Sequence, residues 1–387
     1  MKTFIATDVH VIKANNRFYI SSKVSTILKR YYYSFGKIVL CSRTNTVPAL
    51  QGNYDDISDF LENVIDIGTL TKMLLNKNND ELRESITDCD LVIGRCPSVS
   101  AYKAFDIAKK LNKPYLAESM GDAWDAHWNH GILGKLVAPY MYLKIKNVVA
   151  NADYAVYVTT EFLQNRYPCK KGGIAASNVL LENTSEAILD KRITKIRSFN
   201  PKKISLMTAA AIDVRYKGQQ YVIKAIPSLM KAGIDVKYRI VGEGKNDFLK
   251  GIAQSIGVLD QVEFVGRVPL NQVLDLLDDT DIYLQPSLQE GLPRSVIEAM
   301  SRGCVCIGAR TAGIPELLQP EFVVPRKSAL DIAKVIKNYI SKPLQEKEKI
   351  ALRNWNEAKQ YSQSILDGRR REYFNIIKRD ILTQSEV

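Results

Sequence analysis

No stretch of this 387-residue chain approaches the roughly 18 consecutive apolar residues that a membrane-spanning helix requires. The opening Met1-Lys-Thr-Phe-Ile-Ala-Thr-Asp8 has too short an apolar run for a secretory leader, so a cytosolic protein is expected. There are three histidines, and the six cysteines (Cys41, Cys89, Cys96, Cys169, Cys304, Cys306) show no Cys-x-x-Cys spacing. Neither a zinc site nor a disulfide framework fits that pattern; reduced, mostly buried thiols do. No Gly-x-Gly-x-x-Gly follows a first strand in either half, which argues against a nicotinamide dehydrogenase. Internal repeats and low-complexity tracts are absent as well. The net charge of +12 comes with no RNA-binding or helix-turn-helix signature, so no nucleic-acid partner is expected.

What the chain does have is a globular composition, 46% hydrophobic and 25% charged, at a length that fits two domains rather than one. In the first half, short apolar runs at 3–7, 37–41, 91–94, 114–118 and 154–158 alternate with helical patterns such as 98–111 and 134–151. Such alternation predicts parallel sheets with right-handed crossovers. A second series begins at Lys203-Ile-Ser-Leu-Met-Thr208, after a linker-like stretch around 185–201. The segment Leu133 to Lys146 mixes large apolar residues with Lys135, Lys144 and Lys146. It reads either as a surface-docking helix or as a buried interdomain helix with solvated lysines. Asn183-Thr-Ser185 matches a glycosylation acceptor by chance.

The most informative stretch is Glu290-Gly-Leu-Pro-Arg-Ser-Val-Ile-Glu298, two carboxylates eight residues apart across a strand-to-helix turn. The run 281–287 before it reads as a short buried strand, and 293–302 as a helix closed by Gly303. Glu290 then stands at the carboxyl end of a strand, where open parallel sheets form their ligand crevice. The amides around Leu292, Pro293, Arg294 and Ser295 begin a helix, whose N-terminus suits an anion such as a diphosphate. Hydrogen bonds from sugar or ribose hydroxyls to carboxylates are worth roughly 1.5–3 kcal/mol each. A capping Glu290 and a solvated Glu298 would explain the same residues without a ligand.

This segment resembles the Glu-x7-Glu signature of family-four retaining glycosyltransferases. The resemblance extends to Gly303-Cys-Val-Cys-Ile-Gly308, Thr311-Ala-Gly-Ile-Pro-Glu316, Tyr238-Arg-Ile-Val-Gly-Glu-Gly244 and Val262-Glu-Phe-Val-Gly-Arg267, in the family's order and spacing. It implies an α/β GT-B fold, two Rossmann-like domains with parallel sheets facing across a cleft. The expected acceptor-binding domain is 1–190, with a C-terminal helix 365–387 crossing back, and the donor-binding domain is 200–364. A retaining transfer from a nucleotide-sugar donor, most simply a UDP-sugar, to a glycan or lipid-linked glycan in surface-polysaccharide synthesis is implied. Neither a cofactor nor a metal is. Relatives that extend lipid-linked glycans work at the inner membrane face, so a peripheral contact with an anionic membrane is implied too.

Residue by residue, the resemblance gives Lys217, in Ile212-Asp-Val-Arg-Tyr-Lys-Gly218, the role of holding the departing diphosphate. The family's arginine position falls on Ile212, which leaves Arg215 as the second cation. Glu290 would orient the donor sugar, Glu298 the ribose, and Glu243 and Gly291 would complete the donor site. In the first domain, Asp8-Val-His-Val stands where relatives carry a Gly-Gly loop. The cluster from Glu118 to His130 is the densest polar and aromatic run, and it suggests Asp122 as a catalytic group with Glu118, His127 and Arg95 on the acceptor. A structural loop with buried tryptophans would explain it as well. Two Asp-x-Asp pairs, Asp88/Asp90 and Asp279/Asp281, directly precede strands, away from the ligand edge. A nucleotide-sugar epimerase and a non-catalytic sugar-nucleotide-binding partner are the rival readings.

Overall fold

Apolar runs of four to seven residues become buried parallel strands in each half of the chain. The computed structural model describes residues 1–50, 52–68, 79–181 and 185–385; the Asn183 acceptor pattern lies outside them. The chain divides into two units, Met1–Ala176 with Asp367–Val387, and Ser177–Leu366.

In the first unit the strands are β1 (Thr3–Ala14), β2 (Arg17–Ile20), β3 (Ile38–Thr46), β4 (Asp55–Asp56), β5 (Leu61–Asp66), β6 (Leu91–Cys96), β7 (Tyr115–Ser119), β8 (Tyr154–Tyr157) and β9 (Ile174–Ala175). Strands β5-β3-β1-β6-β7-β8-β9 form a parallel sheet, and the connection order reverses between β1 and β6. Where relatives carry a Gly-Gly loop, β1 instead runs on past an irregularity between Ala6 and His10. It then turns back into antiparallel β2. Asn15 and Asn16 make that turn at φ 47° and 59°, the left-handed backbone that a two-residue hairpin with native twist demands. The C-terminal helix Gln363–Ser385 packs on this unit: Phe374 lies 5.1 Å from Phe35 and 5.7 Å from Tyr31, ring to ring.

The second unit has β10 (Lys203–Ala209), β11 (Asp235–Val241), β12 (Val262–Gly266), β13 (Ile282–Gln285), β14 (Val305–Ala309) and β15 (Val323–Val324). Their order, β12-β11-β10-β13-β14-β15, is all parallel and reverses between β10 and β13. Its core joins Leu206, Ile240, Ile282, Leu284 and Ile307 of the strands to Ile223 and Ile226 of helix Gln219–Met230 and Ile332 and Ile336 of helix Ala329–Ile340. Each such side chain stabilises the unit by about 1.5–3 kcal/mol.

The boundary falls at Ala176/Ser177 rather than at 190–200, and the linker-like stretch contains the helix Glu186–Arg197. Arg192 pins it to the second unit. Its buried guanidinium donates to the carbonyls of Arg302, Thr280 and Leu277 at 2.7–2.8 Å. These acceptors are supplied by the far end of the sheet, so the helix's own charged sequence resembles a solvated linker.

Candidate functional site

In a doubly wound sheet, the loops leaving two neighbouring strands part at the point of reversal and open a crevice at their carboxyl ends. In the second unit those loops follow β10 and β13. The loop after β10 makes a 3-10 turn at Arg215–Lys217 and ends at Gly218, φ 78°. A Cβ at Gly218 would stand 2.1 Å from the Pro286 carbonyl oxygen, so only glycine lets the two loops touch backbone to backbone. The Leu288 amide then donates to the Tyr216 carbonyl at 2.7 Å. Thr311, after β14, donates to the Ser287 carbonyl at 2.7 Å, and the Gly313 amide to that of Gly291 at 2.9 Å. Three strand-end loops are thereby stitched into one rigid rim.

Lys217 and Glu290 meet on that rim. Lys217 Nζ lies 2.8 Å from Glu290 Oε1, with side-chain exposures of 20% and 10%, so the pair is shielded yet reachable. An ammonium has three donors, and Glu290 accepts one, leaving donors that an anion can take. Glu290 is positioned from below by Gln285, a residue that the sequence pattern hides at the end of an apolar strand. Gln285 is buried; its Oε1 accepts from Tyr283 OH at 2.8 Å and Ser295 Oγ at 3.1 Å. Its Nε2 donates to Ser287 Oγ at 2.8 Å and Glu290 Oε1 at 3.0 Å. Burial pushes the Tyr283 phenol well above its ordinary pKa, so it stays a proton donor to Gln285. The only sequence signal for this network is a glutamine where a core residue is expected.

The helix Arg294–Ser301 starts beside these groups. Its N-cap is Pro293, which supplies no side-chain hydrogen bond, and the N-cap of helix Gln219–Met230, Gly218, supplies none either. Leu292 and Pro293 are buried, Arg294 is exposed, and Glu298 lies part-buried in the second turn. Two other donor-side candidates stand apart from the pair. Arg215 lies with its guanidinium 4.3 Å from the Phe248 ring centre. Glu243 forms an exposed ion pair with Arg267 at 3.0 Å, a kind worth little.

In the first unit, Glu118, Arg95 and Asp122 are buried and engaged with protein partners, while His127 is partly open. Glu118 and Arg95 form a 2.7 Å ion pair with exposures of 2% and 7%, and Tyr31 OH donates to the same Glu118 oxygen at 2.8 Å. Burial and the Glu118 charge push the Tyr31 phenol far up, which keeps that donor in place. These side chains brace β6 against β7 and the helix Ser22–Phe35. Asp122, the catalytic candidate, is 3% exposed and is the N-cap of the short helix Ala123–Trp128. Its Oδ1 accepts from Trp124 N, Arg166 Nε and Tyr167 OH, so it is a structural cap. His127 is half-buried, and burial with neighbouring His130 holds its imidazole below the ordinary pKa, neutral at pH 7. The Asp-x-Asp pairs tie strand starts: Asp90 accepts from Lys2 N at 2.8 Å and Asp281 from Ser205 N at 2.8 Å. Among the described residues no cluster of three His, Cys, Asp or Glu could hold a metal.

Comparison with known proteins bears on the family and the fold. Residues 190–359 match the family model described as glycosyl transferases group 1. Protein CapJ of Staphylococcus aureus is 31% identical over 357 residues, 89% of this chain and 88% of that protein. A protein assigned as the colanic acid biosynthesis glycosyltransferase WcaL, of Escherichia coli (strain K12), is 32% identical over 127 residues, 30% of this chain and 31% of its own length. Among solved structures, sucrose-phosphate synthase of Thermosynechococcus elongatus superposes with a TM-score of 0.68 at 13% identity, covering 98% of this chain and 99% of that one. HepE of Anabaena, solved in complex with UDP and glucose, gives 0.62 at 14% identity, covering 97% and 99%.

Proposed function

Because this chain belongs to the glycosyl transferases group 1 family and has the GT-B fold, it is a glycosyltransferase related to protein CapJ and to a colanic acid biosynthesis glycosyltransferase, and we propose that it transfers a sugar from a UDP-sugar to a glycan or lipid-linked glycan in surface-polysaccharide synthesis with retention of configuration. The observation that carries this reading is the shielded Lys217–Glu290 pair at the strand ends where the order of the second sheet reverses. HepE binds UDP and glucose on the same fold, which supports the donor class.

In the proposed reaction the bond between the sugar's anomeric carbon and the diphosphate oxygen breaks, and the acceptor hydroxyl forms its bond from the same face. The acceptor's proton passes to the departing diphosphate. The donors of Lys217 not engaged by Glu290, together with the uncapped amides at the start of Arg294–Ser301, stabilise the charge that develops there, without a metal ion. Glu290 accepts from the sugar hydroxyls and Glu298 from the ribose. His127 and the aromatic groups around it remain the acceptor-side candidates. A peripheral contact with an anionic membrane would bring the enzyme to a lipid-linked acceptor.

The test is acceptor-dependent release of nucleoside diphosphate by the wild type and Glu290→Gln. The substitution keeps the shape and removes the charge, and turnover is expected to fall at least about tenfold. Unchanged turnover in Glu290→Gln would overturn the donor-site assignment.

A further inference from the structure

The helix Gly131–Ala150 buries only one of its faces. Ala138, Met141, Ile145, Val148 and Val149 pack inward. Ile132, Leu133, Leu136, Val137, Tyr140 and Leu143 recur at i, i+1, i+4, i+5, i+8 and i+11, a spacing that puts them on one continuous face. Five of these six are 62–79% exposed, and Val137 is 44% exposed. Scattered exposed apolar residues are ordinary; a contiguous stripe of them marks an interaction surface.

Charge identifies the occupant. The helix has no Asp or Glu and carries Lys135, Lys144 and Lys146, of which Lys144 is paired with Asp106 while Lys135 and Lys146 are exposed. Lys135 Nζ lies 5.7 Å from the ring centre of half-exposed Trp128, just before the helix, and Lys146 Nζ lies 5.9 Å from that of Tyr142. Lysines and aromatic rings set beside an apolar stripe match the layering of a bilayer surface, where acyl chains lie under anionic headgroups. A second copy docked on the same stripe would bring Lys135 and Lys146 toward their own copies with no carboxylate on the helix to meet them, and Asp106 beside it is already paired with Lys144. The helix does not cross a membrane, since no helix among the described residues is long and apolar enough to do so.

We propose that the exposed face of Gly131–Ala150 is a membrane-docking surface that inserts Ile132, Leu133, Leu136, Tyr140 and Leu143 into the interfacial zone of a bilayer containing anionic phospholipid. This rests on the peripheral-contact reading above and names the element that makes the contact.

The experiment is flotation of the full chain with vesicles of zwitterionic lipid, with and without an anionic phospholipid, for the wild type, Leu133→Glu/Leu136→Glu and Lys135→Glu/Lys146→Glu. Light scattering reports the oligomeric state, and UDP-dependent thermal shift reports the donor site. Wild type is expected to float with anionic vesicles, and Leu133→Glu/Leu136→Glu to bind at least about tenfold more weakly. Replacing lysines should cost roughly fivefold each and flatten the salt dependence. The UDP response should be unchanged in both variants, which separates failure of the docking surface from failure of the donor site and shows that the variants fold. Undiminished flotation of the Leu133→Glu/Leu136→Glu variant overturns the proposal. So does a wild-type dimer that this variant converts to monomer without vesicle binding, which would make the stripe an interface between copies.

Discussion

The two units answer the same topological question in opposite ways. Each sheet reverses its order at one pair of strands, β1/β6 and β10/β13, and sends a helix off the second strand of that pair. In the first unit the helix Val99–Lys110 has its N-terminus filled from within: Asp8 accepts from the amides of Val99 at 2.9 Å and Ser100 at 3.2 Å, and Ser98 caps the Ala101 amide. The charges on the neighbouring strands, Arg95 and Glu118, cancel each other under cover. In the second unit the corresponding helix begins at Pro293 with no side-chain cap, beside a shielded but reachable lysine and glutamate. A helix end whose amides already hold a carboxylate has no donors left for a diphosphate, while an uncapped helix end beside a lysine with donors to spare keeps them. A single fold thus yields one unit with its helix end filled and one with its helix end left open, which is the basis for proposing the donor site in the second.

The largest expected effect on that contrast is Lys217→Ala. If Lys217 holds the leaving diphosphate as proposed, its loss should lower turnover by about 10²–10³-fold in steady-state assays. If turnover falls less than tenfold, the second unit does not work through this lysine. A smaller effect is expected from Gln285→Leu, which leaves Glu290 and Lys217 in the chain but removes the group that positions them. Turnover should fall about tenfold with KM for the donor nearly constant, and stability should drop by about 1–3 kcal/mol because Tyr283 OH and Ser295 Oγ lose their buried acceptor. Gln285→Glu should recover neither stability nor turnover: its carboxylate still accepts from both hydroxyls, but it is a buried charge that repels Glu290 where the amide donated to it. The mildest change is Asp8→Ala. It should destabilise the first unit by about 1 kcal/mol in chemical denaturation and leave nucleotide binding untouched. A loss of nucleotide affinity in Asp8→Ala would erase the distinction between the units.

Both sheets were readable because a buried parallel strand is an apolar run, a property local to the chain. The strand-end placement of Lys217 and Glu290 and the helical placement of Glu298 were readable because turn position and eight-residue spacing are local as well. What could not be read depends on distant partners. Glu118 at the end of β7 looks the same in sequence whether it meets a sugar or an arginine 23 residues away. The Asp8 carboxylate is explained only by amides more than 90 residues further on. The helix Glu186–Arg197 reads as linker because the carbonyls that hold Arg192 lie 85–110 residues beyond it. The outward stripe of Gly131–Ala150 was legible as a mixture of apolar and basic residues, but whether the apolar ones face protein or solvent is decided by the fold.

The most direct test of the central claim, that the strand ends of the second unit hold the donor nucleotide, is a thermal-shift titration with UDP and other nucleoside diphosphates on the wild type and Glu298→Ala. Selective stabilisation of the wild type by UDP, growing with ligand concentration and abolished in Glu298→Ala, is the expected result. Equal stabilisation of both proteins, or of neither, would contradict it.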